Sequence, residues 1–369
     1  MVRAKLHPDL PSGGEPPTSV IPLFRRRSLP VATIIAVVVL IAFGLVAWIG
    51  YRAEEAMREG QRQSLRSIVS ANVSGVQTWL DQRRRDAERF DNESGAWDVA
   101  LELLQNHADD PESQSDDGAA DRARAALARQ LHPIASDRRY IGWALLSVDG
   151  QVVASSHDEL AGQRLPIAAD TLEKITTRSA TVCRPLRCPV AIQPQGPLSH
   201  RGAAVMCAMA PIVRGGRTVG SLALLLDPLE RFSEILAVTW MGGTGESYAF
   251  DRHGVLLSRS RFEKQLRAAG ALDADESIAS PLNITIRDPG VQIAASPRDG
   301  RSDGASRGER PLTWMADQAT RGSQGENVTG YAGYRGTEVI GAWQWLPDYG
   351  IGIATEIEAD EAYRSMRLL

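Results

Sequence analysis

The longest feature in the pattern of apolar and polar positions is the run Val31 to Tyr51, which carries no charged residue. About 20 such residues match the roughly 30 Å hydrocarbon core of a bilayer when helical. Trp48 and Tyr51 stand at its far end, where aromatic rings favour the interface, and Arg25, Arg26 and Arg27 precede it. That bias predicts a membrane span with the N-terminus inside and everything after Tyr51 outside. A cleaved signal sequence would have a shorter apolar region ending in a small-x-small site, whereas this run ends in Val46-Ala47-Trp48. From Arg52 to Asn106 no proline interrupts a stretch rich in Glu, Arg, Gln and Ala, and Leu65, Val69, Val73, Val76, Leu80, Ala87 and Phe90 recur at helical spacing. This predicts a long helix rising from the membrane, its stripe packed on its own domain or serving as a dimer seam.

Beyond a polar insertion at Asp109 to Asp121 and a helix at Arg122 to Leu131, the period changes to that of strands. Tyr140 to Val148 and Gln151 to Ser156 flank Asp149-Gly150 as a hairpin, a helix is expected over Ala168 to Arg178, and Ala203 to Val213 pairs with Thr218 to Leu226 across Gly215-Gly216. Leu229 to Val238 reads as a linking helix. The same order then repeats: Glu246 to Phe250, the turn Asp251 to Gly254, Val255 to Ser258, a polar excursion, Gly330 to Tyr334, Glu338 to Leu346 and Ile351 to Ile357. The expected fold is α+β, with one N-terminal transmembrane helix, a long membrane-proximal helix and two tandem PAS-like antiparallel sheet modules. The expected divisions are a tail at 1–30, the span at 31–51, a stalk helix at 52–106, a distal module at 107–238 and a proximal module at 239–369.

Charge and composition narrow the chemistry. With 41 Lys and Arg against 45 Asp and Glu, there is no basic excess for nucleic acid to neutralise, so no nucleic-acid partner is expected. Three cysteines make no disulfide framework, although Cys183 and Cys188 are spaced to close a small loop and Cys207 lies in an apolar run. The six histidines lack ligand spacing, so no metal and no cofactor is expected. Gly304-Ala-Ser306-Arg-Gly308 matches a nucleophile elbow by letter, but it sits in a polar loop rather than between a strand and a helix. No catalytic site is expected in this chain.

The repeated unit resembles the double Cache sensor domains of bacterial transmembrane receptors, with a planctomycete-like character. Thr244-Gly-Glu246-Ser-Tyr248-Ala-Phe-Asp251-Arg-His-Gly254 is similar to the family's proximal hairpin, and Tyr334-Arg-Gly-Thr-Glu-Val339 with Tyr349 to Ile357 looks like its closing strands. The resemblance covers Arg52 to Leu369. It implies ligand sensing outside the cytoplasmic membrane, a homodimer through the stalk helix, and a second membrane helix leading to a kinase, cyclase or similar output beyond Leu369. The alternative is a single-span cell-surface binding protein without an output domain. The resemblance also implies that the distal module holds a small-molecule ligand, which points to Arg139, Tyr140, Trp143, Ser147, Ser155 and His157. The proximal candidates are Tyr248, Asp251, Arg259, Tyr334 and Trp343. An arginine at the strand entry would pair a carboxylate in a fork. Amino-acid-sensing members have Arg-x-Trp-Tyr there and an Asp after a strand glycine. This chain departs from both, with Arg139-Tyr-Ile-Gly-Trp143 and Gly220-Ser-Leu.

Overall fold

A computed structural model describes residues 31–89, 96–109, 118–135, 139–192, 198–239, 241–290 and 310–364. The tail, Phe90, most of the acidic insertion, the loop containing Ser306 and the last five residues lie outside the described residues. Two units are distinguished, Met1–Glu55 and Ala56–Leu369. The first contains the start of helix α1 (Val31–Glu88), whose most apolar 18-residue window has a mean hydropathy of 2.8 and is 0% buried. Ile41, Phe43 and Val46 are exposed there.

In the second unit the apolar stripe of α1 is covered by the chain's own sheets. Leu65, Val69, Val73, Val76, Leu80 and Ala87 are all buried. The stripe is therefore unavailable as a dimer seam. A polar inlay fixes its register: Asn72, itself buried, donates from Nδ2 to Thr355 Oγ1 at 3.3 Å and accepts from Thr239 Oγ1 at 2.8 Å. The expected single helix to residue 106 is two helices, α1 and α2 (Ala96–Asp109). Residues 90–95 between them lie outside the described residues. Helix α3 (Gly118–Ala135) packs on α2 through Leu103, Leu104, Leu127 and Leu131.

The first sheet has the order β2 (Val152–Ser155), β1 (Gly142–Ser147), β6 (Arg217–Leu226), β5 (Ala204–Arg214), β3 (Thr181–Val182), with β4 (Leu186–Arg187) also on β5, all pairs antiparallel. The β5–β6 turn has Gly215 and Gly216 at φ of +57° and +78°, which a two-residue hairpin needs. Gly220 matters for another reason: a Cβ there would strike Leu104 of α2 and the carbonyl of Leu146. The sheet is buried on both faces. Trp143 and Leu145 point to the stalk-side core, while Ala144 and Leu146 enter a second core with Cys183, Cys188, Cys207 and Met209. Helix α4 (Ala169–Thr176) adds Ile175 to this second core. All three cysteines are free and buried; Cys183 is tied to β5 by its N–H to the Cys207 carbonyl, and Cys188 to Ala203. The two thiols fill space in an apolar core, so the loop between them is not closed by a disulfide.

The link between the sheets is a kinked turn at Pro228–Phe232, with Glu230 at a non-helical φ of −75° and ψ of −106°, followed by α5 (Ser233–Ala237). The second sheet has the order β7 (Glu246–Phe250), β10 (Ile351–Glu358), β9 (Glu338–Leu346), β8 (Gly325–Ala332), again antiparallel. The expected strand at Val255–Ser258 is reduced to bridges, Phe250 with Leu256 and Val255 with Thr285, on the free edge of β7. Counting that bridge, both sheets have the same strand order. Among the described residues the polar excursion contains helices α6 (Glu263–Ala268) and α7 (Trp314–Thr320). Helix α8 (Ala359–Ala362) follows β10 directly.

Candidate functional site

The candidates in the first sheet are occupied by structural bonds. Tyr140 donates its hydroxyl to Asp86 of α1 at 2.6 Å, and Arg139 and Arg83 flank the same carboxylate at 3.9 and 3.0 Å. Both guanidinium groups also lie over the Tyr140 ring. Burial and the bond to Asp86 push the Tyr140 phenol up. These residues tie the sheet edge to the stalk. Ser155 donates to the Trp143 carbonyl at 2.9 Å, and a ring nitrogen of His157 sits 2.8 Å from the Ile141 carbonyl. Ser147 serves the Asp149-Gly150 turn by accepting from Gln151 N at 3.1 Å. Trp143 is buried against the stalk-side core. The opposite face of this sheet is lined by Ala144, Leu146, Val205, Met209 and the thiols, side chains that offer almost nothing to orient a polar ligand.

The second sheet differs. Its face away from α1 carries Tyr248, Phe250, Tyr331, Tyr334 and Trp343, with Glu246 and Glu356 on the same side. Glu246 of β7 and Glu356 of β10 are register partners, so two buried carboxylates stand directly opposite one another. Gly341 is the partner of Glu356 on the other side, and any Cβ there would collide with the Tyr331 hydroxyl and with Glu356. The turn Gly333–Thr337 closes over them, with Gly336 at φ +74°.

Each acid has defined partners. One oxygen of Glu246 accepts from Ser260 Oγ at 2.8 Å and Arg261 N at 2.7 Å, and the other from Tyr334 OH at 2.7 Å. Glu356 accepts from Tyr331 OH at 2.8 Å. Burial raises both carboxyl groups. Glu356 is pushed up to about 7 by desolvation and the Glu246 charge, against the pull of the tyrosine hydroxyls and Arg335. Beside them is a small cavity of mixed character, about the size of a water molecule, lined by both acids with Thr244, Tyr334, Arg335 and Thr337 and by the apolar Phe262 and Val339. Thr337, which lines the cavity, has its Oγ1 buried without a hydrogen bond.

The cavity wall is bonded to the C-terminal segment. Arg335, stacked 3.6 Å over Phe262, donates to Glu358 at 2.9 Å. Glu361 of α8 accepts from Gly243 N at 2.8 Å and Thr244 N at 2.7 Å, and those N–H groups hold its carboxyl below its usual range. Tyr363 donates to the Val328 carbonyl at 2.6 Å, and Gln61 of α1 to the Ala362 carbonyl at 3.3 Å.

Of the residues expected to meet ligand, Tyr248 and Tyr334 belong to this constellation. Asp251 instead holds the turn, accepting from His253 N and Val255 N at 2.8 and 2.9 Å. Trp343 stacks edge-on with Trp314 at 5.4 Å, and Arg259 lies 3.8 Å from Glu263. Glu246, Glu356, Ser260, Tyr331, Arg335 and Thr337 were not picked out from the sequence. The available signal was a glutamate on the inward phase of two otherwise apolar strands.

The family model described as Cache domain matches residues 53–366. No curated protein matches the chain. Among solved structures, similar ones include the ligand-binding domain of the Pseudomonas aeruginosa amino acid chemoreceptor PctB in complex with L-Arg, at 14% identity and TM-score 0.42, covering 83% of this chain and 98% of that one. The sensor domain of the V. cholerae histidine kinase DctB is 12% identical with TM-score 0.44, covering 83% and 98%. The ligand-binding domain of the Pseudomonas fluorescens chemoreceptor CtaA in complex with L-serine is 15% identical with TM-score 0.39, covering 82% and 99%.

Proposed function

The chain belongs to the Cache domain family, and from that premise we propose that it is the extracytoplasmic ligand-sensing region of a transmembrane receptor. Residues 31–51 anchor it in the cytoplasmic membrane with the N-terminus inside, residues 107–238 form the distal module, and residues 239–369 form the proximal one. The observation that carries the reading is the buried cavity beside Glu246 and Glu356, whose wall is bonded through Arg335 and Thr244 to Glu358 and Glu361 of the C-terminal segment. A ligand shifts such an arrangement only by its differential affinity for two states, a coupling of about 1–3 kcal/mol. The ligand is a small molecule held chiefly by the proximal module, with Tyr248 and Tyr334 among its walls. The homodimer is assigned to the exposed face of α1, where Ser67, Ala71, Ser74 and Thr78 lie, because the apolar stripe is occupied.

The full chain in detergent micelles, screened by thermal unfolding against a broad panel of small metabolites, is expected to gain several degrees with one chemical class. A flat response across the panel from well-folded protein removes the reading. Protease added to spheroplasts should digest residues after Tyr51, and full protection would reverse the orientation.

A further inference from the structure

The cavity lined by Glu246 and Glu356 has two buried carboxyl groups on its wall, Glu246 accepting from Ser260, Arg261 N and Tyr334, and Glu356 from Tyr331. Glu246 is 3% and Glu356 5% exposed, so neither charge is neutralised by bulk water. The cation on the wall, Arg335, is engaged elsewhere, with one nitrogen on Glu358, another 3.3 Å from Gln265 and its plane over Phe262. Thr337, 8% exposed, presents its Oγ1 on the same wall without a partner. A buried hydroxyl left unpaired costs about 1–3 kcal/mol, so its position calls for a partner that the chain itself does not supply.

The chemistry of that partner follows from charge, size and donor count. An anion would meet two carboxylates and only one committed guanidinium. A divalent metal requires about six or more oxygen ligands or several close carboxylates. Among the described residues no group of three or more His, Cys, Asp or Glu can hold a metal. An ammonium group has the size of a water molecule, carries one positive charge and donates hydrogen bonds in several directions, as the lysine head does. We propose that this cavity binds an ammonium-type cation, free ammonium or the head of a small primary amine, beside Glu246 and Glu356 with Thr337 Oγ1 as a third acceptor. The inference rests on the sensing reading above, for which it names the ligand class, and it uses no residue of the distal module.

Protonation of the site competes with the cation. The groups facing Glu356 are Glu246 and Tyr248 from β7, Tyr331 from β8, and Tyr334 and Arg335 from the turn, with Glu358 behind Arg335. Since Glu356 holds its proton up to about pH 7, the cation binds fully only above that value.

The test uses the full chain in detergent, unfolded thermally at constant ionic strength while sodium chloride is exchanged for ammonium, methylammonium, ethanolamine or potassium chloride. At pH 8 a rise of about 2–4 °C, growing with the logarithm of concentration beyond that point, is expected at tenfold the dissociation constant for ammonium or an amine. The apparent dissociation constant should be about tenfold higher at pH 6. A response to ammonium alone identifies the free ion, and a response to the amines identifies an amine head. The rise should vanish in Glu356→Gln and weaken in Thr337→Val, the second variant serving if the first fails to fold. An equal response to potassium, no response to any of the four, or a response retained in Glu356→Gln overturns the assignment. A panel metabolite that stabilises wild type and Glu356→Gln alike would leave the sensing reading standing while sinking the ammonium site.

Discussion

Setting Glu356 directly across the strand pair from Glu246 makes ionising the second acid costly, and burial adds to that cost. A carboxyl whose folded value is raised from 4.5 to about 7 stabilises the fold while it keeps its proton. That contribution is complete below the unfolded value and is lost as pH rises through the folded one, a span worth roughly 3 kcal/mol at most. Urea unfolding of the wild type is therefore expected to give falling stability from pH 5 to pH 8. Glu356→Gln should flatten that dependence, and an unchanged slope would show that some other group carries it. Asn72 offers a second test at this scale. Its replacement by leucine removes two hydrogen bonds, although Thr239 keeps the Leu236 carbonyl and Thr355 keeps Ser247, and is expected to cost about 0.5–1.5 kcal/mol per bond in the same measurement.

At the scale of elements, α1 gives the sharpest contrast. Leu80→Ala should cost about 2–5 kcal/mol because it empties a fully buried position. Ser74→Ala, on the exposed face, should stay within about 0.5 kcal/mol in a monomeric preparation. The stripe was legible because side chains three and four apart must share a face, and the strands of both sheets were legible because alternation and glycine turns mark their ends. What the residues did not announce was arrangement across distance. The opposition of Glu246 and Glu356 depends on a pairing between strands about a hundred positions apart. Helices α6 and α7 are too short to establish a period, and the edge at Val255–Ser258 has the composition of a strand but only a bridge's worth of pairing. The surroundings of the distal candidates were illegible for another reason. Arg139, Tyr140 and Trp143 carry the residue types of a binding site, yet their partner is α1, which the local pattern of the hairpin does not encode.

For the molecule as a whole, the two sheets share one strand order but differ in what they enclose, one face aliphatic and the other rich in aromatic rings with two buried carboxyl groups. Perturbing the bonds between cavity wall and C-terminal segment should leave stability nearly intact while freeing that segment. Arg335→Gln and Glu361→Gln are expected to raise amide exchange across residues 358–364 without changing the exchange of β9. Protection retained in both variants would mean the segment is held by packing alone.

Glu356 and Glu358 are two positions apart in the same strand, a rise of about 7 Å. On the proposed reading, a change at the first would reach residues 358–364 without crossing a module. The rest of the protein can then drift in sequence as scaffold, and variants selected for altered sensitivity should cluster within that short stretch and the turn that caps it.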